Sequence, residues 1–499
     1  MKKLLPLVFI TLFFSCADHN LDFVNEDASA FSEIGMIDVG DVGAAEITAY
    51  DPITKRLFVV NNGTVNKIDI VDFSNPSAMK VIGSISMAPY GGAVNSLSTF
   101  NGHLAAAIES LNKQNPGKVV VFNTTTYAEI KVVEVGALPD MVTYSKDGNF
   151  ILTANEGEPN DAYSVDPVGS VSIISVKDNY NVVNLDFSPF ASQQAALMAK
   201  GLRIFGPNAS FAQDIEPEYI TVSEDSKTAW VTLQENNAIA KIDLVSKTIT
   251  GIFPLGFKNY NTSPTGIDPS DRDNAISLNA WPVYGIYQPD AIATYTHNGV
   301  PYLFTANEGD VREYTGFAEN RRIGANAVTL DPTIFPNAST LKQEAQLGRL
   351  NITTTLGDTD GDKDYDALYS FGARSFSVWN GNSGALVFDS QNDLEVRNIA
   401  AGLYDDGRSD DKGVEPEGIA IGQVGAKKVI FVGLERSDAV AIYDVSNPQV
   451  PVFLQLLKSG DAPEGVLFVS ATYSPTKQSL IVVSSENDGV IKVFQAKPL

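Results

Sequence analysis

The chain is short of the side chains that most enzymes and nucleic-acid binders use. One cysteine in 499 residues closes no internal disulfide and builds no four-thiolate zinc or iron–sulfur centre. Three histidines are all the imidazole there is, at His19, His103 and His297. Positive charge is scarce too, with 35 lysines and arginines against 60 acids and a net charge of -25. Phosphate backbones need clustered positive charge, so no nucleic-acid partner is expected. No segment reaches the roughly 20 apolar residues of a membrane-spanning helix. What remains is ample for a globular fold: hydrophobic residues make up 44% of the chain. The length fits two to four ordinary domains or one large repeat architecture. The acid excess suits solubility, bound cations, or both.

The N-terminus reads as an export signal. Met1-Lys2-Lys3 is followed by an apolar run over residues 4–14 and then Ser15-Cys16. This resembles a bacterial lipoprotein signal, although Phe13 stands where Leu is usual. In that reading residues 1–16 are a signal peptide and Cys16 is lipidated and held in outer-membrane lipid; plain secretion with a stray cysteine is the alternative. Residues 17–30 are polar and read as a tether.

An internal repeat organises the remainder. One unit reads Glu216-Pro217-Glu218-Tyr219, a turn at Ser223 to Lys227, then Thr228 to Gln234, Glu235-Asn236-Asn237, Ala238 to Leu244, a turn, and Thr248 to Gly256. These are four β-rich runs, a to d, joined by turn residues. Strand a is announced again by Pro139-Asp140, Pro289-Asp290, Pro416-Glu417 and Pro463-Glu464, and more weakly by Ala45-Glu46 and Val94-Asn95. A period of about 45 residues with four strands per unit predicts a β-propeller. The expected fold is all-β: a seven-bladed propeller over residues 31–497, with long insertions on one face. A strand at residues 34–40 completes and closes the last blade, which removes an open sheet edge.

Strand alternation puts the a–b and c–d turns on one face and the b–c and d–a loops on the other. The long connections, at residues 155–169, 188–215, 258–288, 309–372 and 390–414, all belong to the second class. Long loops gathered on one side of a scaffold carry function more often than short turns do. Acids fall on that face as well. Strand a opens with Glu46, Asp140, Glu218, Asp290, Glu417 and Glu464, and with Asn95 in the second unit. Strand b ends at Glu109, Glu156, Glu235, Glu308, Glu435 and Glu486, and at Asn62 in the first. Glu158, Glu216, Asp310 and Glu415 stand beside them. Crowded carboxylates call for cations, basic partners or raised pKa values. Oxygen ligands without histidine favour Ca²⁺, with Mg²⁺ next, over zinc.

The large acidic insert at 309–372 carries a second signal. Asp358, Asp360, Asp362, Asp364 and Asp366 alternate, with Gly361 at the turn. This is similar to the first half of a calcium loop, but Tyr369 stands where an EF-hand requires Glu. A calcium site and a solvated acidic turn are the two readings, and calcium is the expectation. The expected metal ligands are these five aspartates together with Glu156, Glu158, Glu218, Glu235, Asp290, Glu308, Asp310 and Glu417.

Catalytic options are few. His103 and His297 belong to the a–b turns, on the face opposite the acids, so histidine-based triads and zinc sites are disfavoured. Carboxylates, metal-activated water and the arginines Arg312, Arg321, Arg322, Arg374, Arg408 and Arg436 remain. Metal beside arginine can bind and hydrolyse a phosphomonoester, with Glu156, Glu308, Arg322, Arg374 and Glu417 as candidates. The alternative is that the arginines pair with acids and hold loops down. Thr153-Ala-Asn-Glu-Gly-Glu158 and its twin Thr305-Ala-Asn-Glu-Gly-Asp310 either offer oxygens to a metal or end strand b with a glycine turn.

The chain resembles the choice-of-anchor I proteins, a group that includes mesenchyme-specific cell-surface glycoproteins. The likeness is carried by Leu138-Pro139-Asp140-Met141, the twin Thr-Ala-Asn-Glu-Gly motifs and Arg321-Arg322-Ile323. It is carried further by Gly357 to Asp366, Tyr369 to Phe376 and Glu415-Pro-Glu-Gly-Ile419, and spans roughly residues 33–495. It implies a secreted or surface-anchored propeller. Members are often labelled alkaline phosphatase, and Glu415-Pro-Glu-Gly is similar to calcium-dependent phytase-like propellers. No catalytic residue is carried over. The expected function is a cell-surface lipoprotein that binds calcium and recognises an extracellular ligand through its acidic face. A calcium-dependent phosphomonoesterase acting on a phosphorylated small molecule is the alternative, and a structural envelope protein the third.

Overall fold

Apolar runs punctuated by two- to four-residue turns favour antiparallel pairing of neighbours along the chain. The structure, a computed structural model, describes residues 25–499. Among them are seven sheets of four antiparallel strands. In chain order, their first strands are Thr48–Asp51, Val94–Phe100, Pro139–Tyr144, Pro217–Val222, Ile292–His297, Pro416–Val424 and Pro463–Val469. The sheets are numbered one to seven accordingly. In the fifth sheet, the large insert separates the second strand, Val300–Asn307, from the third, Ser375–Asn380.

The seventh sheet takes its outer strand from the other end of the chain. Glu26–Asp38 runs antiparallel to Val490–Pro498, with Glu26 opposite Pro498 and Asp38 opposite Val490. The strand starts earlier than the sequence suggests, so residues 26–30 are strand and not tether. Ala28 and Phe31 are buried against Phe431 and Phe494. The Glu26 carboxylate accepts from the Ser479 backbone N–H at 2.6 Å and its hydroxyl at 2.7 Å. Local polarity hides these contacts, because they are made with the far end of the chain. The signal peptide and Cys16 lie outside the described residues.

Apolar side chains fill the space between successive sheets. Leu152 and Val171 of the third sheet meet Val231 and Ala240 of the fourth. Val482 and Ile491 of the seventh meet Leu57 and Val59 of the first. Fully burying such a side chain contributes about 1.5–3 kcal/mol. The short turns of neighbouring sheets are bonded together on one face. Asp147 N–H donates to Ser226 Oγ at 3.0 Å, Lys247 Nζ to Ser175 Oγ at 2.7 Å, and Trp230 Nε1 to the Gly381 carbonyl at 2.8 Å.

The long connections decorate the opposite face and are ordered. Residues 188–215 contain short helices at Gln194–Met198 and Phe211–Asp214. The link to the sixth sheet contains a helix at Asp393–Ala401. The insert has an apolar core of its own, with Ile323, Leu330, Phe335, Leu347 and Ile352 buried together. A small sheet of Phe257–Asn259, Tyr284–Ile286 and Tyr369–Ser370 joins it to the preceding link. Among the described residues, no helix is long and apolar enough to cross a membrane.

Candidate functional site

The proline that opens strand a also aims the acid behind it. Proline has no N–H for the ladder, so regular pairing cannot continue through it. The register shifts between Pro139 and Val142, Pro217 and Ile220, Pro416 and Ile419, and Pro463 and Gly465. Bulges of this kind re-aim side chains. Here the re-aimed groups include Asp140, Glu218, Glu417 and Glu464, which line one cavity of about 400 Å³. The residue before the proline is left-handed in four sheets: φ is 49° at Leu138, 43° at Gln288, 48° at Glu415 and 55° at Ala462. That geometry is costly for a residue other than glycine. It turns the carbonyl toward the end of strand b. Glu156 N–H donates to Leu138 O at 2.9 Å, Glu435 to Glu415 O at 3.0 Å, and Glu486 to Ala462 O at 2.9 Å. In these four sheets the acid that opens strand a and the acid at the end of strand b are thereby brought together.

Asp290, Glu308 and Asp310 also line the cavity, with Asn95 and Gln234 between the acids. Burial, and then mutual repulsion, raises the pKa of several acids at this mouth. Asp140 is pushed up to about 7 and Glu235 to about 8. Glu156, Glu218, Asp290, Glu417 and Glu464 are held well above the ordinary carboxylate range. His103 begins a second strand and His297 ends a first strand, so both lie at the short-turn face.

Two carboxylate trios at this mouth differ in one respect. Asp140, Glu156 and Glu218 each offer an oxygen within 4.8 Å of the others. None of the three makes a salt bridge among the described residues. Lys113, whose charge reaches Asp140, is paired with Glu109 at 3.4 Å. Glu308, Glu415 and Glu435 are gathered equally closely, but this trio has its own cations. Lys412 Nζ lies 2.5 Å from Glu308 and 3.0 Å from Glu415. Arg408 is 2.6 Å from Glu415, and Arg436 is 2.9 Å from Glu435. Sequence reasoning missed Lys412. The available signal was its place three residues before Glu415, at the mouth of a Pro–acid unit.

The aspartate loop divides into two groups. Asp358, Asp360 and Asp366 form one, and Asp364 and Asp366 meet Asp331 in the other. Asp362 belongs to neither. Much of the carboxylate capacity closes turns. Asp358 accepts from the N–H groups of Gly361 at 2.7 Å and Lys363 at 3.1 Å, and Asp362 accepts from Asp364 N–H at 3.1 Å. Asp331 was not a sequence candidate, because it lies 27 positions before Asp358 and is brought in by pairing of Leu330 with Tyr365.

The remaining candidates separate by location. Glu158 accepts from the Tyr314 hydroxyl at 3.0 Å. One oxygen each of Glu235 and Glu417 is buried without a hydrogen-bond partner among the described residues. The arginine candidates hold loops. Arg322 donates to the carbonyls of Arg349 and Asp410 and pairs with the Asp410 carboxylate at 2.7 Å. Arg374 is buried, donating to Ser409 O at 2.7 Å and Asp268 O at 3.0 Å, and pairs with Glu395 at 3.2 Å. Neither lines the cavity. Arg312 pairs with Asp214 at 2.6 Å and Glu216 at 3.0 Å, which ties the insert to the fourth sheet. Arg203, also missed by sequence reasoning, pairs with Glu319 and donates to the Glu235 carbonyl at 2.9 Å.

The twin motifs are staples. Thr153 Oγ donates to Asn155 Oδ1 at 2.9 Å, and Asn155 Nδ2 donates to Ser172 Oγ at 2.9 Å. Thr305, Asn307 and Ser377 repeat this at 2.8 Å and 2.8 Å. Gly309, at φ 93°, has no room for a side chain, since a Cβ would lie 2.3 Å from the Gly372 nitrogen.

A family profile, the choice-of-anchor I domain, matches residues 46–448. A mesenchyme-specific cell surface glycoprotein of Strongylocentrotus purpuratus is 28% identical over 349 residues, covering 58% of this chain and 44% of that protein. Gigasin-3a of Magallana gigas is 28% identical over 193 residues, covering 32% of this chain and 68% of that protein. The chain therefore spans less than half the length of the first of these relatives. Hydrazine synthase of Kuenenia stuttgartiensis superposes with a TM-score of 0.51 at 13% identity, covering 92% of this chain and 97% of that one. At that identity the likeness speaks for fold alone. The match over residues 46–448, on an all-β propeller, establishes that the chain belongs to the choice-of-anchor I domain family.

Proposed function

We propose that this protein is an exported, surface-anchored propeller that holds Ca²⁺ at its acidic mouth and binds an extracellular ligand there. In this reading the seven sheets close as a ring through the N-terminal strand, and lipid on Cys16 is the anchor. Mg²⁺ is the alternative ion. The surface location draws on the name of the sea-urchin relative and on the export-type N-terminus. One contrast supports the cation: the Glu308–Glu415–Glu435 trio has Lys412 and two arginines, whereas Asp140, Glu156 and Glu218 have no bonded cation among the described residues. Three carboxylates leave positions on Ca²⁺, which takes six to eight oxygens, for water or for oxygens of a ligand. Calcium titration by calorimetry tests this. Binding that is lost in Glu156→Gln supports the site, and a flat titration refutes it.

The phosphomonoesterase reading draws on Lys412, a cation bonded to Glu308, which lines the same cavity. Cation and metal together could hold phosphate oxygens. Arg322 and Arg374, however, are committed to loop carbonyls. Phosphate release from 4-nitrophenyl phosphate, with Ca²⁺ and with chelator, decides it. Turnover no greater than that of Glu156→Gln/Glu308→Gln ends the enzyme reading.

A further inference from the structure

The two faces of the propeller differ in charge and in what enters them. Glu26 pairs with Pro498 at the short-turn end of the seventh sheet, and Asp38 pairs with Val490 at the mouth end. The chain before residue 25 therefore joins the folded body at the short-turn face. Residues 17–25 can extend about 30 Å at most.

Around that entry the surface is apolar and basic. Exposures are 63% at Tyr473, 61% at Ile53, 60% at Val450, 53% at Val452 and 74% at Leu499, all in or beside the short turns of sheets six, seven and one. An apolar cleft of about 260 Å³ runs from Tyr50 and Pro52 to Phe468 and Tyr473. Lys55, Lys428, Lys477 and Lys497 stand in or beside the same turns and make no salt bridge among the described residues. The acids nearby are largely used. Asp72 is paired with Arg56 at 2.8 Å, Asp444 with Lys427 at 2.9 Å, and Glu26 is bonded to Ser479. Asp27 is lowered chiefly by its hydrogen bonds to Ser29, and the charges of Lys427 and Lys497 also reach it. The acids of the short-turn face that lie elsewhere, such as Asp178, Glu224 and Asp225, belong to sheets three and four.

We propose that the short-turn face of sheets six, seven and one rests on anionic phospholipid headgroups, with the acidic mouth turned away from the bilayer. Lysines near an anionic surface are attracted to it, and an aromatic with a polar tip suits the interface. The proposed lipid anchor at Cys16, on which this inference rests, would keep the face within reach so that weak contacts suffice. This inference is independent of calcium at the mouth.

The test is hydrogen exchange on the full chain bound to vesicles. Neutral phosphatidylcholine vesicles are compared with vesicles containing 30% phosphatidylglycerol. The N-terminal segment is common to both, so the difference reports the folded body. Exchange at residues 50–56, 425–428, 446–452 and 470–478 should slow at least fivefold on the anionic vesicles only. Protection should fall back to the neutral-vesicle level in 0.5 M salt and in Lys55→Glu/Lys477→Glu/Lys497→Glu, since each lysine lost weakens attachment roughly fivefold. Lys177→Glu, on sheet three, should leave it unchanged. Equal protection on neutral vesicles, protection of the mouth loops instead, or no protection overturns the proposal. Unchanged exchange in the sheet interiors of the variants shows that they are folded.

Discussion

Replacing Glu218 by glutamine should make the calcium-free protein more stable and the calcium-bound protein less so. Glu218 shares a 4.8 Å neighbourhood with Asp140 and Glu156. At that separation two unit charges repel by about 3.5 kcal/mol at an effective dielectric near 20. Burial already keeps part of this charge protonated, so the relief at pH 8 is smaller, about 2–3 kcal/mol. For a chain of this length that is a rise in Tm of about 2–3 °C. Calcium at a hundred times its Kd should stabilise the unaltered protein by about 2.7 kcal/mol and the variant by much less. The order of the two melting temperatures therefore reverses when calcium replaces chelator. The pH dependence carries the same sign. A carboxyl whose folded pKa is raised stabilises the fold fully below its unfolded pKa and loses that contribution as pH rises toward the folded value. For Asp140 the window runs from 3.8 to about 7. The difference between the variant and the unaltered protein in chelator should accordingly shrink at pH 5. Scanning calorimetry at pH 5 and 8, with calcium and with chelator, measures all four states. A variant that melts lower in chelator at pH 8, or an unaltered protein indifferent to calcium, would falsify this account of the mouth.

Three further outcomes follow from the same geometry. Lys412→Met leaves Glu308 and Glu415 without their bonded ammonium and should destabilise by about 3–5 kcal/mol in urea unfolding, with calcium recovering part of the loss. Calcium affinity should weaken at least tenfold between pH 8 and pH 6 in calorimetric titrations, because Asp140 is pushed up to about 7 and burial holds Glu156 well above the ordinary carboxylate range. Gly309→Ala, strained at φ 93° and blocked by the Gly372 backbone, should lower Tm by several degrees, whereas Gly299→Ala, strained at φ 77° but with open space around it, should cost less.

Much of the scaffold was legible because strand and turn signals are local. The Pro–acid openings at residues 139, 217, 416 and 463 all begin first strands, and the long links fall on the face where the acids gather. The start of the N-terminal strand was not legible. Glu26 and Phe31 find their partners at Ser479 and Phe431, more than 400 positions and 400 positions away, and nothing near them announces it. The site divides in the same way. That acids crowd the mouth follows from their repeated place in each unit. That one trio is neutralised from within depends on Lys412, which arrives on a link whose path only packing sets.

The sequence by itself determined the repeat, the strand grammar and the acid ring, because each depends on residues a few positions apart. Tertiary structure decided which carboxylates are paired, which are bare and where the arginines go. Those outcomes depend on distances between segments about 100 residues apart, as for Arg312 with Asp214 and Lys412 with Glu308. Coulomb energy falls with separation and burial sets its strength, so the chemistry of the mouth was fixed only when the loops had folded over it.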